Sequence, residues 1–306
     1  MSRRLPNVWI LSSVLLAGCS GGGAPPAPTA PGPAASASSQ AAPDPAAAPP
    51  GSGAASQVRA AGVDVAALLA DPSLAVDIPS PDEMFTAMQR AESKAGRSVT
   101  WTSLVAARPA ELPKEPARLA LRLGAVMADF FSAVQAKDAG MAGAAADEMK
   151  AIGERLGLTA EIGDYHTRAK AAIASGSWDT IRRELQLAHS IVKQKLESLP
   201  SPELGYLVGA GLWIRGVEIG SSYLKEAASW SAEGAGMMRQ GAVAGAISSA
   251  LGSMKGDLAT DPTVSQVGSG LRQLESKLSF ARESPPDAAA VAAIHADVVA
   301  IRSSFL

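Results

Sequence analysis

Along the 306-residue chain, a side chain able to accept a hydrogen bond repeatedly stands just before proline: Ser80-Pro81-Asp82-Glu83, Ser201-Pro202-Glu203 and Asp261-Pro262, with Ser284-Pro285-Pro286-Asp287 as a variant. A helix leaves its first four N–H groups without intrahelical partners. A serine or aspartate oxygen satisfies one of them, proline at the first helical position has no N–H to satisfy, and acids in the first turn complement the helix dipole. Each site therefore reads as a helix start. Ser177, Thr159 and Ser231 read as caps without the proline, and Gly157 and Gly176 as C-terminal stops.

Apolar spacing agrees with these signals. Ile181, Leu185, Ala188, Val192 and Leu196 recur at steps of three and four, as do Val291, Ile294, Val298 and Ile301. No run alternates with the period of a strand. The pattern predicts an all-α domain over residues 58–306, a multi-helix bundle of about eight or nine helices built from antiparallel helical hairpins. An offset of 40 residues lays Met141, Ala145, Met149, Ile152 and Leu156 over Ile181, Leu185, His189, Val192 and Leu196, which suggests two similar hairpins.

The segment 202–228 predicts a central helix, apolar on nearly all sides. Glycine costs about 1 kcal/mol relative to alanine inside a helix, yet this one carries Gly205, Gly209, Gly211, Gly216 and Gly220. Gly205/Gly209, Gly216/Gly220 and Gly241/Gly245 are each four apart and predict close backbone approach. With aromatics at 4% of the chain, a core packed near the backbone is expected. Arg215 and Glu218 make a membrane-spanning role costly. Three apart on one helix, they can meet. They are either a structural ion pair or, with Trp213, the lining of a ligand pocket.

The N-terminal quarter has a different character. Between Ser20 and Ser56 the chain is almost wholly Ala, Pro, Gly and Ser, with nine prolines and Asp44 as the single charge. Such a segment has too little apolar surface to offset the entropy of ordering it, and its prolines block helix propagation. It predicts a disordered linker over residues 19–57, reaching between about 35 Å as a coil and about 115 Å fully extended. Residues 1–18 read as a secretory signal: Arg3 and Arg4, then an apolar stretch from Pro6 to Leu16. That stretch is far short of the roughly 20 residues that span a bilayer.

Leu16-Ala17-Gly18-Cys19 resembles the lipobox of bacterial lipoproteins, and Cys19 is the only cysteine. The resemblance implies a diacylglyceryl group on the Cys19 sulfur, cleavage just before it, and acylation of the new amino terminus. With Ser20 following, it also implies an outer-membrane anchor facing the periplasm. Three acyl chains hold a protein essentially permanently, since each buried methylene adds about 0.8 kcal/mol. The W-x-R-G-x-E pattern of the glycine-rich helix resembles uncharacterised all-helical envelope proteins over about residues 115–300. That resemblance implies no activity and no functional residue.

Chemistry is sparse in the remaining pattern. The 27 basic and 29 acidic residues become 25 and 29 once Arg3 and Arg4 are removed, a balance of −4, so no polycationic surface for nucleic acid is expected. His166, His189 and His295 each sit on or beside an apolar helix face and read as core or boundary residues. No HExxH, phosphate-loop or nucleophile-elbow motif occurs, so no metal and no cofactor is implied. The expected function is a lipid-anchored, non-catalytic interaction or scaffold domain with an envelope-protein or cell-wall partner. The alternative is a small-molecule binder or enzyme with its pocket near Trp213, Arg215 and Glu218.

Overall fold

The computed structural model describes residues 100–105, 107–185, 187, 203–226, 238–281 and 283–306, together with 86, 89, 90 and 93. All of these belong to the unit Val58–Leu306. The leader, Cys19, the linker, His189, Ser231 and the starts at Ser80 and Ser201 lie outside the described residues.

The described chain is all-α, as its periodicity predicts. Its helices include α1 (Pro116–Gln135), α2 (Ala139–Arg155), α3 (Thr159–Ala174), α4 (178–185), α5 (Glu203–Glu226), α6 (Gly241–Gly252), α7 (Pro262–Leu278) and α8 (Ala288–Ser303), and residues 86, 89, 90 and 93 are helical as well. Short 3-10 turns occupy Trp101–Leu104 and Gly256–Thr260. No strand occurs among the described residues.

The first three helices close in one way. The N–H of Lys137 donates to the Val134 carbonyl at 3.1 Å and that of Asp138 to Ala133 at 3.0 Å. Gly157 and Leu158 repeat the pair on Glu154 and Gly153 at 3.2 and 2.8 Å, and Gly176 and Ser177 on Ile173 and Ala172 at 3.0 and 2.9 Å. This is the Schellman closure, which needs one residue in the left-handed region. Gly157 (φ 79°) and Gly176 (φ 65°) supply it, as the sequence predicts. At the third place stands Lys137, with φ 53°, although that conformation costs a residue bearing a Cβ on the order of 1 kcal/mol. Turns this short make successive helices antiparallel neighbours.

Start signals hold with small shifts. Asp261 accepts from the N–H groups of Thr263 and Val264 and caps α7 as expected. At α8 the cap is Asp287, which accepts from Ala290, rather than Ser284. Two consecutive prolines push Ser284 too far from the first free N–H. Thr159 is the first residue of α3 and makes no capping bond; Leu158 precedes it. Asp138, unmarked by proline, caps α2 through Met141.

Two helices form the centre. α5 is buried nearly all round, as predicted, and α1 is its counterpart, buried almost continuously from Ala117 to Val134. Among the described residues they make the most extensive helix pair; α2 flanks α1, α8 flanks α5, and α7 joins α6 to α8. α5 comes close to α1 at Gly211, a position outside the predicted pairs, and Gly220 has more room. A Cβ on Gly211 would stand 2.7 Å from the Leu121 carbonyl carbon, whereas one on Gly220 would meet only Met238 Sδ at 3.5 Å. The pair Gly241/Gly245 does mark a close approach, against Glu275 of α7. Among the described residues, no helix is long and apolar enough to cross a membrane.

Candidate functional site

A charged side chain inside an apolar helix must find an opposite charge, because leaving one unpaired in a low-dielectric interior costs several kcal/mol. α1 carries two, Arg122 and Asp129, seven apart and therefore on one face. α5 carries Arg215 and Glu218. The contact of α1 with α5 turns these residues into one cluster.

At its centre is Asp129, 1% exposed. Its Oδ1 accepts from Arg215 Nε at 2.8 Å, and its Oδ2 pairs with Arg108, from the segment before α1. Arg215, 2% exposed, also donates to the Leu104 carbonyl and places Nη1 2.9 Å from Glu218 Oε2. The ion pair expected between Arg215 and Glu218 is thus present. Arg302 of α8 brings its Nε 2.8 Å from the same Oε2. Neither N–H points along the line to that oxygen, which makes no hydrogen bond, so Coulomb attraction holds this end.

The other end reaches α2. Glu148 Oε2 accepts from Arg108 Nε at 2.9 Å, and its Oε1 from Arg122 Nε at 2.8 Å. Arg122 further donates to the carbonyls of Glu111 and Pro109 at 2.8 and 2.5 Å. Four guanidiniums (108, 122, 215, 302) therefore meet three carboxylates (129, 148, 218). Carbonyl oxygens of Leu104, Pro109 and Glu111 supply further acceptors, and in doing so fasten the segment ahead of α1 to the bundle. Burial draws the Arg302 guanidinium below its ordinary pKa, and Glu218 opposes that shift.

Trp213 belongs elsewhere. Two residues from Arg215 on a helix means about 200° around the axis. Its fully buried indole donates from Nε1 to Gln240 Oε1 at 2.6 Å, at the start of α6. The fold brings Arg215 and Glu218 together and sends Trp213 to a different partner.

Beside Glu218 lies a serine–histidine contact that sequence spacing does not reveal: Ser221 Oγ is 3.0 Å from His295 Nδ1. The same hydroxyl lies 2.9 Å from the Glu218 carbonyl, to which it can donate. Burial, and the nearby cations Lys225, Arg215 and Arg302, lower the His295 pKa, against the Glu218 carbonyl, which raises it. The pair fastens α8 to α5.

His166 is half-buried at the boundary, as its place beside an apolar face suggests, its Nε2 2.7 Å from Asp147 Oδ1, with Lys170 on the other oxygen. Among the described residues, no group of three His, Cys, Asp or Glu side chains is placed to hold a metal. Comparison with known proteins gives no match: no family model, no curated protein and no solved structure matches the chain.

Proposed function

We propose that this chain is a lipid-anchored envelope protein, held at the outer membrane through Cys19, whose helical part is a non-catalytic interaction or scaffold domain. The observation that carries the domain reading is how its buried charges are used. Asp129, Glu148, Glu218 and their four arginines are engaged with one another and with backbone carbonyls. Paired with one another, these charges hold α1, α2, α5 and α8 together. A stiff body on a leash of tens of ångströms suits a protein that finds partners while staying at its membrane.

Two measurements test this. In its native host the protein should fractionate with membranes, and Cys19→Ser should release it to the soluble periplasmic fraction; a variant that stays with the membrane overturns the anchor. Chemical crosslinking in intact envelopes followed by mass spectrometry should recover the same protein or cell-wall partner through residues of α1 to α8 in independent preparations. Recovery of none overturns the interaction domain and leaves the anchor standing.

A further inference from the structure

The turn between α1 and α2 and the turn between α3 and α4 lie at the same end of the bundle. Between them is a cavity of about 390 Å3, within the size range of small-molecule sites. Gln135 and Lys137 line one side; Ser177, Trp178, Thr180 and Arg182 line the other. The two turns are counterparts in hydrogen bonding, and where the second has Gly176 the first has Lys137 in the same left-handed conformation. A glycine would satisfy that turn with less strain. The lysine instead brings a cationic residue to the cavity lining.

Charge and donors at the cavity are unbalanced. Lys137 and Arg182 bring two positive charges against the single carboxylate of Asp179, and among the described residues no ion pair engages Lys137 or Asp179. Arg182 gives one hydrogen bond from Nη2 to Gln135 Oε1 at 3.2 Å, an oxygen that already accepts from Gln89 at 2.7 Å. Its Nε is buried without an acceptor. The other N–H groups of the guanidinium, together with Lys137, favour an incoming anion, because charge-assisted bonds are the strong ones. Trp178, half-buried against the core, adds apolar surface to the lining.

We infer that this cavity binds a small organic anion, its charged end held by Lys137 and Arg182 and its flat apolar body resting on Trp178. The site is separate from the buried arginine cluster and does not depend on the scaffold reading.

Benzoate is the probe, with inorganic phosphate and benzyl alcohol as its charged-only and apolar-only halves, titrated calorimetrically into the full chain at low salt. Benzoate should bind saturably, and its affinity should fall roughly tenfold or more in Arg182→Gln and in Lys137→Gly. The Lys137→Gly protein should melt no lower than the parent, since glycine accepts φ 53°, so its loss cannot be unfolding. Arg183→Gln, on the exposed side of α4, should bind as the parent does. Absence of saturable benzoate binding overturns the inference. So does affinity unchanged in both cavity variants, or phosphate or benzyl alcohol binding as tightly as benzoate.

Discussion

Gly124 of α1 and Gly211 of α5 face each other where the two central helices touch. A Cβ on Gly124 would lie 2.5 Å from the Leu212 backbone nitrogen, and one on Gly211 2.7 Å from the Leu121 carbonyl carbon. Both obstacles are backbone, so no rotamer change relieves them. Gly124→Ala and Gly211→Ala should each force the helices apart and cost about 3 kcal/mol or more. Gly163→Ala, on α3 with nothing within 4 Å, should instead gain about 0.5–1 kcal/mol from helix propensity. Midpoints of denaturant unfolding check all three, and equal effects would remove the close approach as the cause.

The excess of one guanidinium makes the buried cluster asymmetric to mutation. Asp129→Asn leaves four cations with two carboxylates and strands Arg215 and Arg108 with a neutral partner. It should cost about 3–5 kcal/mol. Arg215→Met leaves three of each sign: Asp129 keeps Arg108, and Glu218 keeps Arg302. It should be the milder change by about 2 kcal/mol, the difference expected when no charge is left uncompensated. Chemical denaturation of both variants measures the gap. A Met variant as damaged as the Asn variant would assign Arg215 a role beyond charge pairing.

Most of the fold is visible in the chain because helix rules are local. Asp261-Pro262 starts α7, Gly157 and Gly176 stop α2 and α3, and Val291, Ile294, Val298 and Ile301 are the buried stripe of α8. The α1–α2 turn escapes because Lys137 is not a residue that favours the left-handed region. Arg215 with Glu218 is legible from three-residue spacing. Their true partners, Asp129 and Arg302, are 86 and 84 residues away, and no periodicity encodes such a meeting. One signal was available: Arg122 and Asp129 interrupt an otherwise apolar helix on a single face, as Arg215 and Glu218 do on theirs. Two such interruptions in one chain are candidates for each other.

Tyr165 offers a stabilising change. Its side chain is 3% exposed, its hydroxyl oxygen is buried without a hydrogen-bond partner, and desolvation raises its pKa well above the usual phenol range. An unsatisfied buried hydroxyl costs about 1–3 kcal/mol, and phenylalanine keeps the ring without it. Tyr165→Phe should raise the unfolding free energy by about 1 kcal/mol. A loss of stability would reveal a partner for the hydroxyl in solution.

His295 should make stability depend on pH near neutrality. Burial, then Lys225, Arg215 and Arg302, hold its folded pKa below the ordinary 6.5, while the Glu218 carbonyl pulls the other way. The unfolded chain therefore takes up this proton at a higher pH than the folded chain does. Stability is unaffected by this group above about pH 6.5, declines as pH falls below that value, and levels off once pH passes below the folded pKa. Because the ring is partly exposed, the slope should be shallow and steeper at low salt, where the surrounding cations are less screened. His295→Gln retains a side chain able to bond Ser221 and cannot titrate. Between pH 7 and 5 its unfolding free energy should fall less than the parent's, by the share that belongs to this one proton. Parallel curves for the two proteins would mean that His295 takes up its proton equally readily in both states.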